Sequence, residues 1–467
     1  MKNINPYPSY KPSGIAWLGE IPTHWEVRRL KHLGKAIIGI TYNPKDLTDS
    51  QNGILVLRSS NVQNEKIDYK DCSYVNQKIQ ESQLTKKNDI LICSRNGSIN
   101  LIGKNATIDE KATGLTFGAF MTIFRSENNR YISYFLKSIQ FKSQIGLCFT
   151  STINQLTNGI LNNLFLAIPK DLEEQTAIAH FLDYKLHKID LFIRKKKKLI
   201  ALLNEQKAAI INDAVTTGID PSVKMKPSGI EWLESIPNHW EMIRTKHIFR
   251  LITDVAPPNN SEILLSIYTQ YGVKPRTEFE ERGNRATTTD NYWIVKKQDI
   301  IVNKLLAWMG AIGISEYDGV TSPAYDILRS NGKADPYFYH YLFRIPIMFN
   351  EFKRHSRGIM DVRLRLYFSE FGDIKLPTPP LSEQKAIVTH IETETAILNR
   401  TIATIEKEIA LVQEYRTTLI AEAVTGKIDV RDYEIKMIDE ALEEDLEAEM
   451  GVDTDLSREN REGGEEE

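Results

Sequence analysis

The sequence predicts an α/β (α+β) protein. Two globular regions are separated by two long helices forming an antiparallel coiled coil, the whole arranged as a pseudo-twofold internal repeat. Three observations predict it. A short Trp-rich box occurs twice, as KPSGIAWLGEIPTHWE from Lys11 and KPSGIEWLESIPNHWE from Lys226. A long heptad-patterned stretch also occurs twice, from Gln175 and from Gln384. Between box and helix, each time, lies a diverged stretch of β-rich runs and polar loops.

The boxes come first. Lys11–Gly34 and Lys226–Phe249 align without a gap and share 15 of 24 positions, among them Trp17/Trp232, Pro22/Pro237, His24/His239, Trp25/Trp240 and Lys31/Lys246. A solenoid repeat runs roughly 20 to 50 residues, and the 215-residue offset here is far longer, so one large module is written twice. The tryptophans are expected to anchor each box against its neighbouring domain. The histidines beside them are expected to pack and hydrogen-bond rather than to ligate.

The helices follow. Leu182, Leu186, Ile189, Ile193, Ile200, Leu203, Ile210 and Ala214 keep a 4-3 spacing interrupted by Lys196 and Lys207. At an offset of 209 the same places hold Ile391, Thr395, Leu398, Ile402, Ile409, Val412, Leu419 and Ala423, with Ile405 for Lys196 and Arg416 for Lys207. Such a pattern sustained over five heptads signals a coiled coil. Its seam is expected at Leu182, Leu186, Ile189, Ile193, Ile200 and Leu203, facing Ile391, Leu398, Ile402, Ile405, Ile409 and Val412. Each strip is too narrow to form a core alone, and the simplest partner for one helix is the other. Asp171 with Glu174 fits a capping box at the first start. Pro379-Pro380 bars backward extension of the second helix. Gly218 and Gly426 suit left-handed C-terminal caps. Each helix then spans about 40 residues, or roughly 60 Å.

The intervening regions read as mixed helix and strand. Strands are expected in ILVLRSS (54–60), DILICS (89–94), AFMTIF (119–124), EILLSIY (262–268), YWIVKK (292–297) and DIIVNK (299–304). ISYFLKSI (132–139) and PYFYHYLF (336–343) suit helices. The chain order is box (1–26), variable region (27–170), helix (171–218), second box with linker (219–241), variable region (242–378), helix (379–426) and an acidic tail (427–467). The tail is expected to be disordered from its Glu-rich composition.

Composition is that of a soluble globular protein, 41% hydrophobic and 26% charged over 467 residues. No apolar run approaches the ~20 residues that span a bilayer, and MKNINPYPSYKPSG has no apolar core for a signal peptide. Cys72, Cys93 and Cys148 lie too far apart for a metal spacing or a disulfide framework, so a reducing cytoplasm is expected. The net charge of −3 hides a division: residues 439–467 carry −12 and residues 1–438 carry +9. A basic body suits either a solvated surface or a polyanion partner, DNA first. The Arg194–Lys198 run fits a solvated helix face. A search for nucleotide-binding, zinc-protease and nucleophile-elbow motifs returns none, and no amino-methyltransferase motif is present. The chain is therefore expected to be no enzyme.

These parts together resemble the specificity subunit of a Type I restriction–modification system. SGIAWLGEIPTHWEVRRLK and SGIEWLESIPNHWEMIRTK carry the resemblance, with LEEQTAIAHFLD, LSEQKAIVTHIE, AVTTGID and AVTGKID. GVTSPAYDILR and TSTINQLTNGILNNLFLAIP are similar to target-recognition-domain text. The resemblance covers about residues 10 to 430. It implies two target-recognition domains, each reading half of a split sequence in double-stranded DNA. It implies two adenine-N6 modification subunits as partners, and up to two restriction subunits. S-adenosylmethionine, ATP and Mg would belong to those partners, with no cofactor or metal on this chain and no membrane.

DNA contacts are expected on loops rich in Ser, Asn, Gln, Lys and Arg, which hydrogen-bond phosphates and base edges. In the first region these are Ser59, Ser60, Asn61, Arg95, Asn96, Ser98, Thr150 and Asn154. In the second they are Tyr268, Gln270, Lys274, Arg276, Lys304, Tyr325, Arg357 and Arg363. The alternative reading is a coiled-coil protein-interaction scaffold without DNA binding, which the basic body argues against.

Overall fold

Residues 5–148, 155–278, 289–358 and 364–433 are described by a computed structural model. The chain forms two compact units, Met1–Arg194 with Ile409–Glu467, and Lys195–Glu408. Each unit contains one box, one variable region and a stretch of each long helix.

The variable regions share one topology beneath their diverged sequences. In the first, four strands lie in the order Asn105–Thr107, Ile90–Cys93, Met121–Arg125, Lys35–Ile38. In the second the order is Ile312–Ile314, Ile300–Asn303, Tyr325–Ser330, Phe249–Ile252. Both sheets are antiparallel throughout, and the chain enters their strands in the same sequence. The fold is thus α+β. The short pairing of Thr116–Phe117 with Ile54–Leu57 is parallel. The central strands are covered on both faces. Ile90 and Ile92 join the inner core of the first unit, while Leu91 and Cys93 join an outer core with Leu57, Val62, Phe117 and Met121. A strand buried on both sides needs an unbroken apolar run, which is what ILIC and IIVN supply.

An acidic turn precedes each central strand. Asp89 accepts from Lys86 N (2.7 Å) and pairs with Arg125 through Nε (2.8 Å) and Nη2 (2.6 Å). Asp299 repeats this with Lys296 N (2.8 Å) and Arg329 (2.7 and 2.6 Å). Asn88 and Gln298 hold φ of +68° and +73° in the same turn. Both aspartates are almost fully buried, and bidentate Arg–carboxylate geometry offsets their desolvation.

The edges expected for the boxes, at 26 and 241, fall within strands. Strand Trp25–Arg29 crosses the first and pairs with Phe165–Pro169, and strand Glu241–Arg244 pairs with Lys375–Thr378. Each variable region is closed at its base by a two-stranded ribbon whose first strand starts in or at the end of the box.

The long helices run Leu172–Thr217 and Leu381–Val424. Gly218 and Gly426 follow with φ of +81° and +71°, the left-handed caps that the sequence predicts. The 4-3 positions are the sheltered ones. Leu182, Leu186, Ile189, Ile391 and Ile405 are buried, and Ile193, Ile200, Leu203, Leu398, Ile402, Ile409 and Val412 are half-buried. In the second unit Lys196 meets Glu408 (2.7 Å) and Lys207 meets Asn399 (3.1 Å), so rising numbers on one helix meet falling numbers on the other. In the first unit Arg416 lies 3.7 Å from Asp190 in the same sense.

Arg416 also reaches the variable region. Its Nη2 donates to Glu65 Oε2 (3.0 Å), and Lys137 Nζ stands 3.5 Å from the same oxygen. Glu65 (φ +63°) sits with Asn64 (φ +48°) at the tip of the hairpin Val62–Gln63/Lys66–Ile67. A glutamate in left-handed backbone is uncommon, and here two cations hold its carboxylate.

The capping box expected from Asp171 and Glu174 is replaced by a simple N-cap at Asp171. Asp171 Oδ1 accepts from Glu173 N (3.0 Å), whereas the Glu174 carboxylate is buried against the box. It accepts from Trp25 Nε1 (2.8 Å) and Tyr7 OH (2.8 Å) and meets His24 Nε2 (2.8 Å). Glu383 holds Trp240 Nε1 (3.0 Å) and His239 Nε2 (2.7 Å) in the same way. The boxes therefore anchor to the helix starts, and these two duplicated motifs form one joint. Among the described residues no helix is long and apolar enough to cross a membrane.

Candidate nucleic-acid interface

In the first variable region two loops converge, one from each of two sheets. Strand Ile54–Leu57 runs into the 3-10 turn Ser59–Asn61, and strand Ile90–Cys93 runs into the loop holding Arg95, Asn96 and Ser98. Asn96 ties them together. Its Nδ2 donates to Ser59 Oγ (3.1 Å), and its Oδ1 accepts from Ser98 N (3.0 Å). Lys104 Nζ donates to the Ser59 carbonyl (3.1 Å). A third loop joins because the Phe120 carbonyl accepts from Ser94 N (2.9 Å) and Arg95 N (3.1 Å).

The result is a groove of about 1020 Å³. Ser59, Ser60, Arg95 and Asn96 line it, four of the residues expected to contact DNA. Tyr42, Arg58 and Phe120 line it too, and the sequence reading missed them. Phe120 is 58% exposed with the Arg95 guanidinium 5.3 Å from its ring centre. Ser98 lies outside the lining. Asn61 requires correction, being fully buried. Its Oδ1 accepts from Arg58 N (2.9 Å), and its Nδ2 donates to the carbonyls of Asp68 (3.0 Å) and Asp71 (2.8 Å). It shapes the turn that presents Ser59 and Ser60. Thr150 and Asn154 lie outside the described residues.

The second region places its candidates differently. Tyr268 and Lys274 sit on the hairpin strands Leu265–Tyr268 and Gly272–Pro275, Gln270 is exposed at the turn, and Arg276 follows the second strand. Tyr325 is close enough to this group that Tyr268 adds to the rise of its phenol pKa, which burial mainly causes, and Arg276 opposes it. Lys274 Nζ lies over Tyr317 at 5.7 Å. Lys304 pairs with the buried Asp326 (3.3 Å), donates to the Pro323 carbonyl (2.9 Å) and lies over Trp293 at 5.5 Å. Burial pushes the Asp326 carboxyl up, and Lys304 draws it back. Lys304 is thus held internally, in contrast to the exposed Arg357, which pairs with Glu370 at the surface. Arg363 lies outside the described residues. The structure gathers Tyr268, Arg276 and Tyr325, and leaves Arg357 on the separate loop after helix Pro346–His355.

The chain's own repeat is matched by a known sequence pattern. The Type I restriction modification DNA specificity domain matches residues 22–201 and again 237–411, each span running from a box onto a long helix. The chain belongs to this family. It is a Type I restriction–modification specificity subunit and a DNA target-recognition protein. It is 26% identical over 440 residues to the specificity subunit designated MjaX of Methanocaldococcus jannaschii, covering 89% of this chain and 96% of that one. It is 28% identical over 221 residues to the StySPI specificity subunit of Salmonella potsdam, covering 46% and 47%. A solved chain from work on complex assembly and conformational transition of the type I R-M system superposes with a TM-score of 0.65 at 12% identity, covering 87% of this specificity subunit and 99% of the solved chain. At that identity the likeness concerns the fold.

Proposed function

We propose that this specificity subunit reads a split DNA target without catalysing a reaction itself. Each variable region reads one half, and the two long helices pair as an antiparallel coiled coil that fixes the separation and phase of the readers. Dimeric DNA binders use half-site spacing in the same way. Two modification subunits dock on the repeated scaffold, methylate adenine N6 and carry S-adenosylmethionine. Restriction subunits that join them carry ATP and Mg. The acceptor adenine must leave the stack to be methylated, so the bound duplex is distorted.

The observation that carries this reading is the convergence of Ser59, Ser60, Arg95 and Asn96 in one groove. The second variable region supports it with the same sheet order and other polar and aromatic residues, Tyr268, Arg276 and Tyr325. Equal frames with different loops suit two readers of different sequence.

The test is genome-wide adenine methylation in the host with and without the gene. A motif of two short blocks around unspecified bases, lost on deletion, is expected. No change in methylation, together with salt-insensitive failure of the purified complex to bind DNA, would favour a scaffold instead.

A further inference from the structure

We infer that the groove of the first variable region receives an unstacked base of the bound duplex, with Phe120 as its stacking face. The inference rests on the DNA-reading function and adds a contact and a DNA distortion to it. Phe120 is 58% exposed and stands in the groove beside polar and cationic side chains. The backbone that carries the ring is fixed, since the Phe120 carbonyl accepts from Ser94 N and Arg95 N. The preceding residues are fixed as well, because Gly39 lies so close that a Cβ there would stand 2.3 Å from the carbonyl oxygens of Phe117 and Gly118. One face of the ring meets the Arg95 guanidinium at 5.3 Å.

The surroundings select the occupant. The groove's described lining has no carboxylate and two arginines, Arg95 and Arg58, the latter paired with Asp71 outside the lining (2.7 Å). Ser59, Ser60, Asn96 and Tyr42 add hydroxyl and amide groups around a single exposed ring. A protein-docking face is expected to have a broader apolar centre. One aromatic plane backed by a cation, with hydrogen-bonding groups beside it, suits a nucleobase and its phosphate. The second region differs at the matching place. Met121 opposes Cys93 and Tyr325 opposes Asn303, so Ala324 occupies the place of Phe120. Unstacking by this device is therefore confined to one half of the target.

The test uses the complex with its modification subunits and the split target mapped in the host. 2-Aminopurine is walked through positions in and beside both half-sites, leaving out the acceptor adenines. A several-fold emission rise is expected at one position beside one half-site. Phe120→Ala should abolish that rise and weaken binding roughly tenfold, while Phe120→Trp should keep both. An unchanged emission profile with affinity within twofold in Phe120→Ala overturns the inference. So does loss of modification-subunit assembly with intact DNA binding, which would make the ring a protein contact. If the wild-type complex neither binds nor methylates any split duplex, the DNA-reading function itself fails and this inference falls with it.

Discussion

Trp25 donates its indole N–H to Glu174 Oε1 at 2.8 Å, and Trp240 donates to Glu383 Oε1 at 3.0 Å. The two joints share their Trp and His partners, but Tyr7 donates to Glu174 as well, and the two carboxylates differ in burial. The Glu174 side chain is 4% exposed and the Glu383 side chain 23%. Each orphaned buried donor costs about 1–3 kcal/mol. Glu174→Ala should therefore destabilise more than Glu383→Ala, because it strands the Trp25 indole and the Tyr7 hydroxyl where less water can replace the carboxylate. Urea unfolding of the two variants, followed by tryptophan fluorescence, checks the order. Equal losses would contradict it.

The caps predict a second asymmetry. Left-handed backbone costs a non-glycine residue about 1–2 kcal/mol, so alanine at Gly218 or Gly426 should destabilise. Gly426→Ala adds a clash, since its Cβ would lie 2.4 Å from Pro22 Cδ. A Cβ at Gly218 would stand no nearer than 3.3 Å to any neighbour, the nearest being the Trp240 ring. The melting temperature of Gly426→Ala should fall further.

His340 predicts an acid limit for the second variable region. Burial, aided by Arg344, pushes its imidazole down to about 4 from an ordinary 6.5. The neutral ring accepts from Ile314 N through Nδ1 (3.2 Å). The unfolded chain binds the proton more readily, so stability is full above about pH 6.5 and declines as pH falls toward 4. His340→Asn offers an uncharged acceptor in place of Nδ1. The slope of unfolding free energy between pH 6.5 and 4 should be shallower in this variant, and an unchanged slope would refute the assignment.

Lys196 predicts a near-neutral exchange. It occupies a place in the 4-3 pattern, paired with Glu408 at 2.7 Å and partly open to solvent. The second helix places Ile405 at the equivalent point. Lys196→Ile should change stability by no more than about 1 kcal/mol, in either direction, because exposed pairs contribute little and an apolar seam residue replaces this one. A loss of several kcal/mol in chemical denaturation would show that the pair is structurally required.

The helices were legible because heptad spacing is a local signal: the residues expected at a seam, from Leu182 to Val412, are all buried or half-buried. The central strands were legible as apolar runs, and the Trp boxes as a repeat. Glu174 was misread because capping-box spacing is local, whereas its partners Trp25 and Tyr7 lie about 150 residues or more away. Asn61 was misread because composition cannot distinguish an asparagine that braces a turn from one that faces a ligand. Phe120 was missed because an aromatic beside a strand reads as core. The matching turns at Asp89 and Asp299 were not read from the sequence, because their meaning depends on the strand register that places Arg125 and Arg329 opposite.

The contact between Glu65 and Arg416 has a consequence for genetics. The turn bearing Ser59 and Ser60 continues directly into the hairpin whose tip is gripped by a helix residue more than 300 positions later. Inheritance of target choice is then not confined to the variable segments. An allele changed only at Arg416, in text that looks like scaffold, is expected to score as an altered-recognition mutant, and domain exchanges that carry Glu65 without Arg416 should transmit the trait incompletely.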